Sequence, residues 1–482
     1  MQQSLTRSRL RRLRAGVAAG HPVTTDAGIE ILEAGGSAAD AAIAACLASC
    51  VAETVMTGLL GGGHAISYDA ASGSARNLDC FCAVPGLDGD PGPHPLLELD
   101  VPFGEELVHY AVGPASCAVP GVPAGLDLLW RDHGRLPWAS LVVPALRLAR
   151  AGVAMPPAHA ACLEMLEPVL TMDAGARIYA PGGRLLRAGD RLEQPGLVRT
   201  LEVLAEEGAG SVYSGSIAEA LLQLSDERGG LVTPTDLESY AAVWSSPVEL
   251  DYAGTRFLTR GGLSGVPACL EHLPPLRDRT PTDRVLALVE VLHSTAGGGH
   301  TTNLVVVDAD GNACVLTTSL GLGSGDYLPG LDLHLNSMLG ETDLLRAGSL
   351  GAPAGGPLEP GGRMGSMMAP SLALDADGLA LAIGSAGGTR LRTALVSVAS
   401  AILDEGIAGQ EAIDRPRVHP VGGTVHAEPG IDGEALAELE RRGLAVRRWP
   451  ERHHYFGGVS LVGRSGPAAD PRRSGSARGA GA

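Results

Sequence analysis

Residues 297–302 read Gly-Gly-Gly-His-Thr-Thr and lead into the apolar run Leu304-Val305-Val306-Val307. A threonine hydroxyl is a weak nucleophile unless a base lies within hydrogen-bond reach. A threonine at a chain terminus carries that base itself, because a free α-amine titrates near pH ~8. Freeing the amine of Thr301 requires the His300–Thr301 bond to break. The hydroxyl of Thr301 can attack the preceding carbonyl if the backbone upstream bends sharply, and Gly297–Gly299 permit that. A strand beginning at the cut would then hold the nucleophile rigidly. The same residues would serve equally well as a glycine turn before a β-branched strand.

Two further stretches fit acyl chemistry. In "IGSAGGTRLRT" (383–393), Gly387 and Gly388 sit between an apolar strand and the start of a helix. Backbone N–H groups there point outward into positive helix potential, which suits the oxyanion of a tetrahedral intermediate. A tight strand-to-helix turn would use the same residues. In "RMGSMMAP" (363–370), Ser366 is the polar residue of an apolar run. It is placed either to donate to a substrate carboxylate or to cap a loop.

The elements that must position these groups follow from pattern and punctuation. Residues 24–53 read as two helices, the first capped by Thr25 or Asp26 and closed by Gly35-Gly36, the second capped by Ser37. The apolar stretch from Ala38 to Val51 is too short to cross a bilayer and reads as a buried helix. A hairpin over 59–86 turns at Ser72-Gly73, and 87–113 reads as a surface loop. Helices follow over 121–152, broken at Gly134 and Pro137, and near 197–207, 215–227 and 283–294. Strands at 303–308 and 313–319 flank the turn "DADGN", and a second hairpin over 371–385 turns at Asp377-Gly378. A helix begins near Thr389 and another spans 433–442. Strands near 444–449 and 457–463 follow, with His453 and His454 pointing apart. The tail from Ala468 is expected to be mobile. Helices, then strands, then helices suggest stacked layers rather than a doubly wound sheet.

Composition narrows the function classes. The 482 residues carry a formal net charge of −18, which argues against nucleic acid or an anionic membrane as partner. The cluster "RSRLRRLR" at 7–14 reads as a solvated arm. No apolar secretion signal or membrane span is visible. The eight cysteines include no CxxC pair, so no zinc site is expected, and reduced buried thiols in a cytoplasmic protein are the reading.

Taken in order along the chain, the motifs resemble those of the gamma-glutamyltransferase family of N-terminal-nucleophile hydrolases. The similar stretches are "GIEILEAGGSAADAAIAACLA" (28–48), "GLLGGGHAISYD" (58–69), "CAVPGVPAGLDLLWRDHGRLPWASLVVPALRLARAG" (117–152) and "GGLVTPTDLESYAAVW" (229–244). "HTTNLVVVDADGNACVLTTSLG" (300–321), "LHLNSMLGE" (333–341), "GSMMAP" (365–370), "GSAGGTRLRT" (384–393) and "ADPRRSG" (469–475) complete the set. The resemblance implies a four-layer αββα sandwich built jointly from two pieces after self-cleavage, a large one of residues 1–300 and a small one of residues 301–482. It implies that Thr301 is both the self-cleavage residue and the catalytic nucleophile. Ser319 would be a second hydroxyl near it, Gly387 and Gly388 the oxyanion hole, and Ser366 a contact to a substrate α-carboxylate. No metal or organic cofactor is implied.

The chain departs from that pattern in the pocket. Phe81 stands where the family has a carboxylate-binding arginine, Met367 where it has a serine, and Gly321 where it has an asparagine. Gly340 replaces an acid, with Glu341 adjacent as a substitute. Arg390 or Arg392 could supply the missing guanidinium. The expected activity is therefore hydrolysis or transfer of a gamma-glutamyl-type acyl group, through an acyl-Thr301 intermediate, to water or an amine. The alternative is a hydrolase of specialised, antibiotic-type metabolism, using the same threonine on a non-glutamyl amide or a C–C bond next to a carbonyl. An unprocessed structural homologue is a third class.

Overall fold

The computed structural model describes residues 13–89, 94, 96–103, 106–293, 301–341 and 358–481. Two antiparallel sheets form its centre. The first runs in the order Ser476–Gly479, Gly16–Ala19, Thr302–Val307, Ala313–Ser319, Gly62–Asp69, Ser74–Cys80, Val243–Ser245. The second runs Gly466–Ala469, Gly458–Gly463, Gly378–Ala386, Ser371–Asp375, Thr255–Thr259, Val248–Tyr252. Each sheet contains strands from both sides of residue 301.

The two sheets pack face to face through Ile66, Val305, Val307 and Val315 of the first and Leu372, Leu374, Ala382 and Val462 of the second. Alternation along each strand turns the neighbouring residues outward, onto helices. Leu304, Val306, Cys314 and Leu316 meet the helix Ala38–Ala52 and the helices around it. Ala373, Leu381 and Ile383 meet the helix Arg390–Leu403. The result is the expected four-layer αββα sandwich.

The helix Ala38–Ala52 is buried along its whole length, which its run of alanines and other apolar residues suits. Ser37 caps it in a reciprocal box with Asp40. The first helix starts earlier than expected. It runs Pro22–Glu33 and its cap is His21, whose Nδ1 accepts from the Val23 N–H. Proline at the first helical position already has the helical φ, so neither Thr25 nor Asp26 is needed as a cap.

Three other expectations give way to tertiary contacts. Within 87–113, Leu97–Phe103 and Glu106–Val112 form a hairpin instead of a loop, with Val101, Tyr110 and Val112 buried. His453 and His454 do not diverge on a strand. Their rings lie 4.1 Å apart where a short 3-10 turn begins. The tail is not mobile: Ser476–Gly479 forms the edge strand beside Gly16–Ala19, and Arg472 and Arg473 are buried.

Candidate active site

Thr302 opens its strand opposite Thr318, and Ser319 pairs with Gly62 on the next strand. Extending the register by one residue sets Thr301 across from Ser319. The pairing of Gly63 with Cys80 likewise sets Phe81 beside Gly62. Thr301, Ser319, Gly62 and Phe81 thus form one row at the end of the first sheet, on the face that looks toward the second. Thr302 faces the other way, and its hydroxyl donates to Glu53 on the helix side.

The end of the second sheet meets this row. Ser366 and Met367 precede the strand Ser371–Asp375, and Gly387 and Gly388 follow its partner strand Gly378–Ala386. Ala386 and Thr301 line a common cavity. Gly387 has φ +128° and Gly388 φ +59°, both in the region that favours glycine. A Cβ on Gly387 would sit 2.9 Å from the Gly457 Cα and 3.1 Å from an Arg473 nitrogen. Arg473 Nη1 in turn donates to the Thr301 carbonyl at 3.3 Å. One buried guanidinium therefore joins the Gly387 turn to Thr301. Gly387→Ala is expected to lower stability by about 1–3 kcal/mol through backbone strain. Activity should fall further than stability, measured by urea unfolding alongside turnover.

Around Ser319 the groups are tied together. Gly321 donates its N–H to Ser319 Oγ at 3.0 Å, and a Cβ on Gly321 would lie 2.8 Å from Glu341 Oε1 and 2.6 Å from Ser337 Oγ. The absent side chain makes room for the Glu341 carboxyl. Glu341 is buried and bridges to Tyr110 of the unexpected hairpin. Gly340 cannot carry an acid, because a Cβ there would meet the Ala111 carbonyl at 1.6 Å.

Ser366 is buried, and its Oγ accepts from the Met368 N–H at 3.3 Å, the geometry of a capped loop. Its carbonyl accepts from Arg260 Nη1. Phe81 is buried and stacks on His64 with ring centroids 5.5 Å apart. The arginine beside Phe81 is Arg363, whose Nη1 donates to the Phe81 carbonyl at 2.6 Å and whose Nε lies 3.4 Å from Asp79. Arg390 is turned to the Tyr455 ring, and Arg392 lies against Gly265. His300 and the glycines before it lie outside the described residues. Among the described residues no group of histidine, cysteine or acidic side chains could hold a metal ion. No described helix is long and apolar enough to cross a membrane.

The sequence reading missed Arg473 and Glu53. Glu53 ends the helix Ala38–Ala52, and its two oxygens accept from Thr24 Oγ1 and Thr302 Oγ1. Burial pushes its carboxyl up to about 7, against the opposing pull of those hydroxyls and Arg473. A raised folded-state pKa gives stability that is present below the unfolded value and lost as pH rises through the folded one. In a Thr301→Ala background, which keeps a new α-amine out of the titration, Glu53 should cost on the order of 3 kcal/mol between pH ~4.5 and ~7. Glu53→Gln should remove that slope in unfolding curves taken across this window.

The gamma-glutamyltranspeptidase family model matches residues 24–296 and 277–480. The acylase ACY 1 proenzyme of Pseudomonas sp. (strain SE83) is 28% identical over 517 residues, spanning 93% of this chain and 89% of the relative. The glutathione hydrolase proenzyme of Bacillus subtilis (strain 168) is 24% identical and spans 96% and 91%. In architecture, the crystal structure of cephalosporin acylase from Bacillus halodurans superposes with a TM-score of 0.81 at 24% identity, over 97% of this chain and 96% of that one. The motif order, the αββα layers and a model match along nearly the whole sequence agree: this chain belongs to the gamma-glutamyltranspeptidase family of N-terminal-nucleophile hydrolases.

Proposed function

We propose that the protein cuts itself between His300 and Thr301 and then transfers a gamma-glutamyl-type acyl group through Thr301. The pieces 1–300 and 301–482 stay together as one domain, which the strands both contribute to each sheet support. The hydroxyl of Thr301 attacks the amide carbonyl while its own α-amine takes the proton. The oxyanion is held by N–H groups of the Gly387-Gly388 turn. The amine then returns the proton to the leaving nitrogen, leaving acyl-Thr301. Water or an acceptor amine attacks that ester and restores the hydroxyl. Ser319 faces the same side as Thr301 and supports its hydroxyl. Ser366, Met367, Gly321, Glu341 and Phe81 shape the acyl pocket. The observation that carries this reading is the shared row of Thr301 and Ser319, joined to the Gly387 turn through Arg473. The Pseudomonas and Bacillus subtilis relatives are proenzymes, which supports the self-cleavage. Eight buried free cysteines fit a reducing, cytoplasmic setting.

Intact-mass measurement of the mature protein should show two pieces, the smaller beginning at Thr301, and a gamma-glutamyl-anilide should be turned over. A single uncut chain with full activity would overturn the proposal.

One observation favours a second substrate class. Phe81 puts an aromatic ring on the row that carries Thr301, and Arg363 is committed to the Phe81 and Ala241 carbonyls. A non-glutamyl acyl amide, the class suggested by the two acylase relatives, would suit that wall. Cut protein that ignores the gamma-glutamyl-anilide but hydrolyses an anilide of an uncharged acid would select it.

A further inference from the structure

The cavity behind Thr301 contains a carboxyl group that the acyl-transfer steps above do not use. Glu53 is 1% exposed and reaches the start of the Thr301 strand from the helical layer. Thr302 Oγ1 donates to its Oε2, and Thr24 Oγ1 donates to its Oε1 at 2.7 Å. Gly20 is fitted to this contact: a Cβ there would lie 2.3 Å from Glu53 Oε2 and 2.8 Å from Thr302 Oγ1. Arg473 holds the Thr301 carbonyl. Thr302 is thus gripped by a buried acid and Thr301 by a buried guanidinium.

We propose that Glu53 is a positioning residue whose negative charge offsets Arg473 and sets the protonation of the Thr301 α-amine once the chain is cut. This rests on the reading of Thr301 as a self-released nucleophile. The amine works as a base only when neutral. Arg473 alone would favour its neutral form, and an ionised Glu53 favours the ammonium. Together they keep the amine close to its ordinary range. Both threonine hydroxyls can donate to the carboxylate or accept from the acid, so the contact survives either state.

The other charged and titratable groups around this point are few. Asp470 lines the same cavity but is paired with Arg417 and Arg472. His159 also lines it and is held neutral, its pKa lowered to about 3 mainly by burial, with His21 and Arg473 adding to the effect. Cys46, one helix turn before Cys50, feels Glu53, and its hydrogen bond with Cys50, then burial, raise its pKa and keep its thiol protonated. Arg390 adds positive potential at Arg473. Glu53 is therefore the acid whose charge can oppose Arg473 beside Thr301.

The test is the pH dependence of kcat/KM in self-cleaved protein, with Glu53→Gln and Thr302→Ser beside wild type. Removing the negative charge should make the ammonium less stable. The acid limb should then move to lower pH by about half a unit or more, with kcat changing more than KM. Thr302→Ser keeps the hydroxyl and should leave the limb in place. Cut Glu53→Gln with an unmoved limb overturns the proposal while leaving the self-cleavage reading intact. Should Glu53→Gln stay uncut, Glu53→Asp decides. In cut Glu53→Asp, whose shorter side chain draws the charge back from the amine, an acid limb moved to lower pH supports the proposal and an unmoved limb overturns it. Wild type that is never cut at Thr301 instead removes the underlying reading.

Discussion

Thr301→Ala is expected to leave one uncut 482-residue chain and to lower turnover by at least about 10³-fold. Both effects have one cause. Without the hydroxyl nothing attacks the His300 carbonyl, so the α-amine is never released, and the nucleophile and its base disappear together. Stability should change little, because Thr301 sits at the strand's start, outside the bonded ladder that begins at Thr302. Thr301→Ser should still cut, more slowly, since serine offers the same oxygen with a freer rotamer. Denaturing electrophoresis and intact mass read the first effect, and anilide turnover reads the second. An alanine variant that is cut like wild type would show that the scissile bond lies elsewhere.

The second large effect should come from the C-terminal segment. Asp470 is buried and accepts from Arg417 Nη2 at 2.6 Å, from the Val459 N–H at 3.2 Å and from the Arg472 N–H at 3.0 Å. Burial alone would raise its carboxyl, but Arg417 and Arg472 hold it below the usual carboxylate range. Glu428 completes the group through two 2.6 Å bonds from Arg472. Removing one member of such a network strands the others in a dry interior. Asp470→Ala should therefore cost about 3–5 kcal/mol in urea unfolding. Asp470→Asn, which keeps an acceptor for the backbone N–H groups, should cost less. Turnover should drop even where the protein stays folded, because the turn that Asp470 caps carries Arg473 to the Thr301 carbonyl. An alanine variant with unchanged unfolding would show that the two arginines find other partners.

Both predictions rest on contacts between distant parts of the chain, and this is where sequence reading divides. The strand that begins beside Thr301, the strand end at Ser319 and the strand-to-helix turn at Gly387 and Gly388 are legible because each is a local pattern. Gly321 and Glu341 stood out only as separate departures from the family pattern; that the Glu341 carboxyl occupies the space of the side chain Gly321 lacks is visible only in the fold. Arg390 and Arg392 looked available from their spacing alone. In the fold they face Tyr455 and Gly265, while Arg363 holds the backbone of Phe81.

The sequence by itself determined the strands, turns and helices around Thr301, because periodicity, glycine turns and helix caps act within a few residues, and its motif order pointed to the family and, through it, to the four layers. Tertiary structure alone decided that an arginine-rich tail becomes an edge strand and a buried charge network. It also decided that Glu53, 249 residues from Thr302 along the chain, grips it. Charged residues are ordinarily left in water, so nothing local marks the few that are buried. Their burial is possible only where partners from other elements offset the loss of hydration, and those partners meet only when both sheets have closed.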